Sequence, residues 1–311
     1  MLTLDSVTTP IQPPARRVPT PGALLELLKP VTWFPPMWAF SCGVVSAGVP
    51  MTAEIWWKFA LGIALTGPVT CASSQAVNDW FDRHVDAINE PQRPIPSGRM
   101  PGRWGLVVAI AWSALALAIG ALFGPVGLAA TAVAVAFSWL YSAPPFRLKA
   151  NGWFGNAAVG ITYEGLAWLT GAVIMLGGAV VPRWEILALA ALYSLGAHGI
   201  MTLNDFKAIE GDRQMGIRSL PVQLGPERAA RLAGAVIVAP QIVAFALLLW
   251  WGKPVHAVGI LALIAQQLRM LPTFYRQPVE KAFWYSGMGV PFSVLGMMIC
   301  AHAVRGLEAL R

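Results

Sequence analysis

The sequence predicts an all-α polytopic membrane protein, and three observations carry that prediction. The 311 residues are 56% hydrophobic and only 12% charged, with fourteen tryptophans. That is too apolar for a soluble domain of this length. The apolar residues fall into nine runs of roughly spanning length, where one span needs about 20 residues. Lysine and arginine, finally, are shared unevenly between alternate loops, as the positive-inside rule requires of a multi-pass chain.

Residues 1–28 precede the first run and carry Pro10, Pro13, Pro14, Pro19 and Pro21 among threonines and arginines. They lack the apolar core and cleavage site of a signal peptide and read as a disordered cytoplasmic tail. One domain is expected to fill residues 29–305. Its first span covers 31–49, where Pro35 and Pro36 are placed to kink the helix. The second covers 56–77. The third and fourth, 104–122 and 125–141, are parted only by Gly124-Pro125. Five more follow at 155–178, 184–203, 229–251, 255–272 and 283–303.

With the N-terminus inside, 17 of the 22 basic residues fall on the cytoplasmic side, leaving Lys58, Arg183, Lys253, Arg305 and Arg311 outside. The asymmetry fixes the orientation. The net charge of +7 therefore belongs to membrane topology. Nucleic acid is excluded, because the basic residues sit in short loops and form no stripe interleaved with aromatics. Cys42, Cys71 and Cys300 lie inside apolar runs with no CxxC spacing, which argues against a disulfide framework or zinc site and for small core residues.

Five of the six aspartates lie in two segments on the cytoplasmic side. In the first, Asn78-Asp79-Trp80-Phe81-Asp82-Arg83-His84-Val85-Asp86, the acids stand at i, i+3 and i+7, within an arc of about 60° if the preceding helix continues. Like charges one turn apart are unfavourable on a bare helix. A solvated helix end is the bland explanation; a bound hard cation is the sharper one. Mg2+ takes one or two carboxylates, keeps waters and completes its shell with phosphate. The second segment, Asn204-Asp205-Phe206-Lys207-Ala208-Ile209-Glu210-Gly211-Asp212, repeats the Asn-Asp pair. On one continuous helix Asp205 and Asp212 would lie about 20° apart, with Glu210 about 160° from their face, although Gly211 could loosen the backbone there.

The two segments share a layout, since Arg93-Pro94-Ile95-Pro96-Ser97-Gly98 follows the first and Arg218-Ser219-Leu220-Pro221 the second. This reads as an internal pseudo-repeat. Between them, Tyr141-Ser142-Ala143-Pro144-Pro145-Phe146-Arg147-Leu148-Lys149 ends the fourth span with two prolines and offers Arg147 and Lys149 as an anion-binding pair. Basic loops after spans are common; the two acidic motifs on the same side give this one its weight.

The first motif, with Arg93-Pro94-Ile95-Pro96-Ser97-Gly98, resembles the first signature of the UbiA superfamily of intramembrane prenyltransferases. The second, running on to Ser219-Leu220-Pro221, resembles the chlorophyll and bacteriochlorophyll synthase branch, as do Tyr141-Ser142-Ala143-Pro144-Pro145 and Asn151-Gly152-Trp153. Tyr163-Glu164-Gly165-Leu166 leans toward the bacteriochlorophyll synthases. The resemblance covers about residues 25–305. It implies about nine transmembrane helices around a central cavity open to the cytoplasmic side. It also implies Mg2+ held by Asp79, Asp82, Asp86, Asp205 and Asp212 as the catalytic and metal-binding set. Asn78, Arg93, Tyr141, Arg147, Lys149, Glu164, Asn204, Lys207 and Glu210 are the implied substrate-binding residues. One departure matters: the superfamily's second motif reads Asp-x-x-x-Asp, and four residues before Asp212 stands Ala208, so Asp205 and Glu210 must supply the missing carboxylate.

The implied reaction joins geranylgeranyl or phytyl diphosphate to the propionate of a bacteriochlorophyllide or chlorophyllide. A propionate is already ionised at neutral pH, which suits a chain with no recognisable Ser/His/Asp or Cys/His arrangement. The implied setting is a bacterial inner membrane, cytoplasmic or intracytoplasmic and photosynthetic, with pigment-protein assembly factors as possible partners. A related enzyme that prenylates an aromatic ring in quinone or haem biosynthesis would share the first motif but not the details of the second. A transporter would explain the spans, but transport sites lie near the bilayer midplane, whereas these acids cluster at one surface.

Two polar residues remain within spans. Glu164 and His198 should face the interior, since a charge toward lipid costs about 2.5 to 3.5 kcal/mol. For Glu164 a contact with pigment competes evenly with a hydrogen bond between helices; for His198 the interhelical bond is the expectation. His84 reads as solvated, and His256 and His302, toward the outer side, receive no role.

Overall fold

The computed structural model describes residues 18–305 and residue 307, and among them there is no β-strand. The chain opens with α1 (Pro21–Leu28), a 3-10 turn over Pro30–Thr32, and α2 (Phe34–Ser46). Then α3 (Ala53–Ala64) passes through a π-helical stretch, Leu65–Cys71, into α4 (Ala72–Asn89), followed by α5 (Trp104–Leu122) and α6 (Gly124–Ser142). Beyond a 3-10 turn at Leu148–Ala150, α7 (Gly152–Val159) runs through a second π-helical stretch, Gly160–Leu166, into α8 (Ala167–Met175). After α9 (Trp184–Asp205) come a 3-10 turn, Phe206–Ala208, and the short α10 (Ile209–Gln214) and α11 (Leu220–Leu224). The long α12 (Pro226–Trp250) and α13 (Pro254–Arg276) lead to α14 (Pro278–Met288) and α15 (Val290–Val304).

Eight helical segments among the described residues are long and apolar enough to cross a membrane. The ninth expected span, 31–49, is the 13-residue α2 with the 3-10 turn before it. Pro35 and Pro36 sit in its first turn, so they start the helix instead of kinking it; a missing N–H costs nothing where no intrahelical acceptor exists. α2 is held by close backbone contact with α8. A Cβ on Gly43 would stand 2.0 Å from the Trp168 carbonyl oxygen, and one on Gly171 would stand 2.1 Å from that of Phe40. Small residues at facing positions are the usual device for such an approach between membrane helices.

The expected disordered tail is corrected in part. Residues 1–17 lie outside the described residues, while Pro21–Leu28 forms α1. The Thr20 hydroxyl caps it by accepting from the Ala23 N–H, proline occupies the first helical position, and Leu27 and Leu28 bury against α4 residues such as Ala76 and Val77. Glu26 receives a bidentate pair from Arg99, at 2.5 and 2.9 Å, which ties α1 to the loop after the first aspartate motif. The Arg99 guanidinium holds the Glu26 carboxyl below its ordinary pKa.

The helices α4, α5 and α6 pack on one side and α9, α12 and α13 on the other, the second group around a large apolar core that includes Leu189, Ile237 and Ile260. Both aspartate segments lie at one end of the bundle, where the backbone ties the loop after α6 to the stretch after the second segment: the Arg218 N–H donates to the Ala150 carbonyl at 2.9 Å, and the Gly152 N–H to the Arg218 carbonyl at 2.8 Å.

Candidate active site

α4 continues past the apolar run to Asn89 with no break, so Asp79, Asp82 and Asp86 share one face. Each meets a cation. The Lys29 ammonium donates to Asp79 Oδ1 at 2.6 Å, and Arg93 reaches the same oxygen at 3.5 Å and Asp86 Oδ2 at 2.9 Å. Lys149 donates to Asp82 Oδ2, with Arg147 at 3.4 Å from the other oxygen. Burial pushes the Lys149 ammonium below its ordinary pKa, and Asp82 opposes that. Asp79 is the deepest of the three, its side chain 3% exposed, and its Oδ2 is buried without a partner. Arg83 turns away, over the Trp80 ring, and His84 is exposed.

The second motif is not one continuous helix. α9 ends at Asp205, the 3-10 turn Phe206–Ala208 resets the direction, and α10 starts at Ile209. The expected angle of about 20° between Asp205 and Asp212 therefore does not apply. Asp205 Oδ2 accepts from Asn156 Nδ2 at 3.2 Å, and Asp212 is buried. Neither makes an ion pair among the described residues. Glu210 is exposed and accepts from Gln214 Nε2 at 3.0 Å on the outer side of α10; Lys207 is exposed as well.

The motifs converge on one cavity of about 420 Å³ between α2, the two π-helical stretches, α4, α6 and α9. Asn78 and Asn204, one from each Asn-Asp pair, line it together with Tyr141. Asn78 also donates to Ser142 Oγ at 3.3 Å, fixing α4 against α6. Below this mouth, Tyr163 Oη accepts from Gln75 Nε2 at 3.0 Å and lies 3.2 Å from Ser74 Oγ. Glu164 lines the cavity too, while His198 does not; it is buried against the Trp153 ring, with centroids 5.9 Å apart.

The π-helical stretches explain why the lining is continuous. Thr162, Tyr163 and Glu164 all line the cavity although they are consecutive. Successive side chains turn about 100° on an α-helix and less on the wider π-helix, so one face admits neighbours that would otherwise splay apart. Sequence reasoning missed Lys29, counted only as a topological charge, as well as Asn156, Gln75 and Tyr163 as lining or supporting groups. A polar residue inside an apolar run was the available signal for the last three.

Among the described residues no three His, Cys, Asp or Glu side chains converge tightly enough to hold a metal by themselves. The donors nevertheless fit Mg2+, which needs only one or two carboxylates beside waters and phosphate. Asp79 presents a buried, unpartnered oxygen, and Asp205 and Asp212 carry no counter-cation. The four cations around the first motif suit a polyanion arriving at the same mouth.

Residues 33–298 match the model of the UbiA prenyltransferase family. The chain is 55% identical over 295 residues to the bacteriochlorophyll synthase 33 kDa chain of Cereibacter sphaeroides, covering 95% of this chain and 97% of that protein. It is 38% identical over 294 residues to the chloroplastic chlorophyll synthase of Oryza sativa, covering 90% and 76%. A UbiA homologue from Archaeoglobus fulgidus, solved with GPP and Mg2+, superposes with a TM-score of 0.63 at 21% identity, covering 92% of this chain and 99% of that one. That likeness bears on the fold, whereas the family model and the closer relatives bear on descent: this multi-pass membrane chain belongs to the UbiA prenyltransferase family.

Proposed function

We propose that the enzyme esterifies the propionate of a bacteriochlorophyllide or chlorophyllide with a geranylgeranyl or phytyl group taken from its diphosphate. The substrates are those implied by the names of the relatives at 55% and 38% identity. The observation that carries the reading is that Asn78 and Asn204, one from each Asn-Asp motif, line one cavity, while Lys29, Arg93, Arg147 and Lys149 pair with the aspartates that follow Asn78 on α4.

In this reading Asp79, Asp82, Asp86, Asp205 and Asp212 hold Mg2+, the metal of the Archaeoglobus fulgidus complex. When bound, Mg2+ supplies a Lewis acid for the departing diphosphate. The basic residues exchange their aspartate partners for diphosphate oxygens and neutralise the charge that grows there as the bond to carbon breaks. Asn78, Asn204 and Tyr141 orient the allylic carbon at the cavity mouth. A propionate oxygen then bonds to that carbon, and the carbon–oxygen bond to diphosphate breaks with both electrons leaving on the diphosphate. No proton needs to be removed. The ester is membrane-soluble, so a pigment-protein assembly factor in the same membrane is its expected recipient.

Arg93→Ala, Arg147→Ala and Lys149→Ala each remove a charge-assisted donor worth about 1.5 to 3 kcal/mol. Steady-state kinetics on each variant should give a prenyl diphosphate KM about tenfold or more above wild type; unchanged values in all three would reduce these residues to topological charges. The acceptor itself is tested by offering purified enzyme bacteriochlorophyllide and an aromatic ring acid in parallel with geranylgeranyl diphosphate. Ester formation on the macrocycle alone is expected, and prenylation of the ring alone would move the enzyme to the quinone branch.

In the same proposal the mouth faces the cytoplasm from a bacterial inner membrane, with the N-terminus inside, which the uneven sharing of lysine and arginine between alternate loops supports. The natural cysteines are buried, so single reporters read cleanly. Glu90→Cys and Gln214→Cys should label from the cytoplasm and Val181→Cys from the opposite side. Labelling of all three from one side would overturn this topology.

A further inference from the structure

The polar groups of the cavity are mostly satisfied by the protein. Thr66 and Thr162 donate to carbonyls one turn back, at 3.0 and 2.8 Å, and Tyr163 is engaged by α4. Glu164 is different: it makes no hydrogen bond or ion pair among the described residues, and the lining contains no lysine, arginine or histidine. The interhelical bond that would have given it a structural role is absent. A carboxyl held in an apolar bundle without a partner is costly, and such groups in membrane proteins mark ligand contacts.

Its position narrows the ligand. Tyr163, its neighbour, bonds to Gln75, one helical turn before Asp79 on α4, a rise of about 6 Å. The prenyl chain is hydrocarbon and offers nothing to a carboxyl. The diphosphate is anionic and belongs with the cations at the mouth. What remains is the acceptor, whose propionate must reach the mouth while its ring, bearing carbonyl substituents, occupies space about one turn beneath.

We infer that Glu164 is the acceptor-recognition residue: its carboxyl O–H donates a hydrogen bond to a carbonyl substituent of the macrocycle and so selects and orients the ring. This rests on the proposed esterification. It also accounts for the π-helical stretch, which turns Glu164 into the cavity beside Thr162 and Tyr163.

The experiment measures steady-state kinetics for both substrates in wild type, Glu164→Leu and Glu164→Gln. The acceptors are bacteriochlorophyllide and its analogue with the ring ketone reduced to a methylene, which leaves no oxygen to accept a hydrogen bond. The expected result is an acceptor KM raised at least tenfold in Glu164→Leu, about 1.4 kcal/mol, with the prenyl diphosphate KM within about twofold of wild type. Glu164→Gln, whose amide still donates, should stay within about threefold of wild type. Reducing the ketone should cost wild type about as much as the leucine substitution and cost Glu164→Leu nothing further. The reduced acceptor tests wild type directly, so the inference is decided even if Glu164→Leu does not fold. Unchanged acceptor KM in Glu164→Leu, an equal rise in both KM values, or indifference of wild type to ketone reduction would each overturn it. Failure of wild type to esterify either macrocycle would instead refute the proposed function.

Discussion

Asp79→Ala is expected to lower kcat by about 10²- to 10³-fold, the range seen when one charge-stabilising group is removed from a preorganised site, while the protein still folds in detergent. Asp79 is the most buried acid of the first motif; one of its oxygens meets Lys29 and Arg93, and the second is buried without a partner, one residue along α4 from the cavity-lining Asn78. Asp82 and Asp86 have cation partners of their own, Lys149 with Arg147 for the one and Arg93 for the other, and in the proposed reading each supplies its own carboxylate to the set, so neither makes up for the loss of Asp79. Folding should survive. Breaking a buried ion pair is costly when the remaining charge is stranded, but the Lys29 side chain is 23% exposed and can turn to water. Removing one of three acids on a helix face also relieves repulsion in the metal-free protein. Asp82→Ala and Asp86→Ala should lose activity to a similar extent. Retained turnover in all three, measured at saturating substrates and Mg2+, would remove the first motif from the chemistry.

The second large effect separates residues within the second motif. Asp205→Asn and Asp212→Asn should each reduce kcat about 10²-fold, whereas Glu210→Gln should stay within about threefold of wild type. The 3-10 turn at Phe206–Ala208 is the reason. It leaves Asp205 at the cavity end of α9, held by Asn156, and lets α10 carry Asp212 inward while Glu210 points outward to Gln214. The carboxylate absent at Ala208 is thus supplied by Asp205 in this account. Steady-state rates at saturating Mg2+ check it. If Glu210→Gln proved the most damaging of the three, the ligands would have to be reassigned to Glu210 and Asp212.

How much of this could be read in the sequence depends on the range of the interactions. The run 104–122 coincides with α5, because a lipid-facing helix announces itself through composition alone. The run 56–77 found α3 but stopped short of α4's end at Asn89, where the helix leaves the apolar layer and hydropathy no longer follows it. α1 carried a local signal, Thr20 and Pro21 ahead of Leu24, Leu27 and Leu28, hidden by the prolines before it. The π-helical stretches have no such signal. Nothing in Gly160–Leu166 distinguishes it from α-helix until its packing is known: a Cβ on Gly160 would lie 2.4 Å from the Ser194 carbonyl oxygen. The contact of Lys29 with Asp79 spans 50 positions and is equally invisible locally.

The aspartates were legible because five acids in an apolar chain need a reason, and their helical spacing supplied one. Where the spacing argument assumed a continuous helix it succeeded on α4 and failed across Phe206–Ala208, since a break in direction is set by how α9, α10 and α11 pack.

The central claim is that carboxylates from both motifs and a divalent cation carry the leaving diphosphate at the cavity mouth. It is tested most directly by following bacteriochlorophyllide esterification by the purified wild-type enzyme with geranylgeranyl diphosphate, first in Mg2+, then in excess EDTA, then with Mg2+ restored. The account predicts turnover in Mg2+, loss to background in EDTA and full recovery on restoration. Undiminished turnover in EDTA would contradict it.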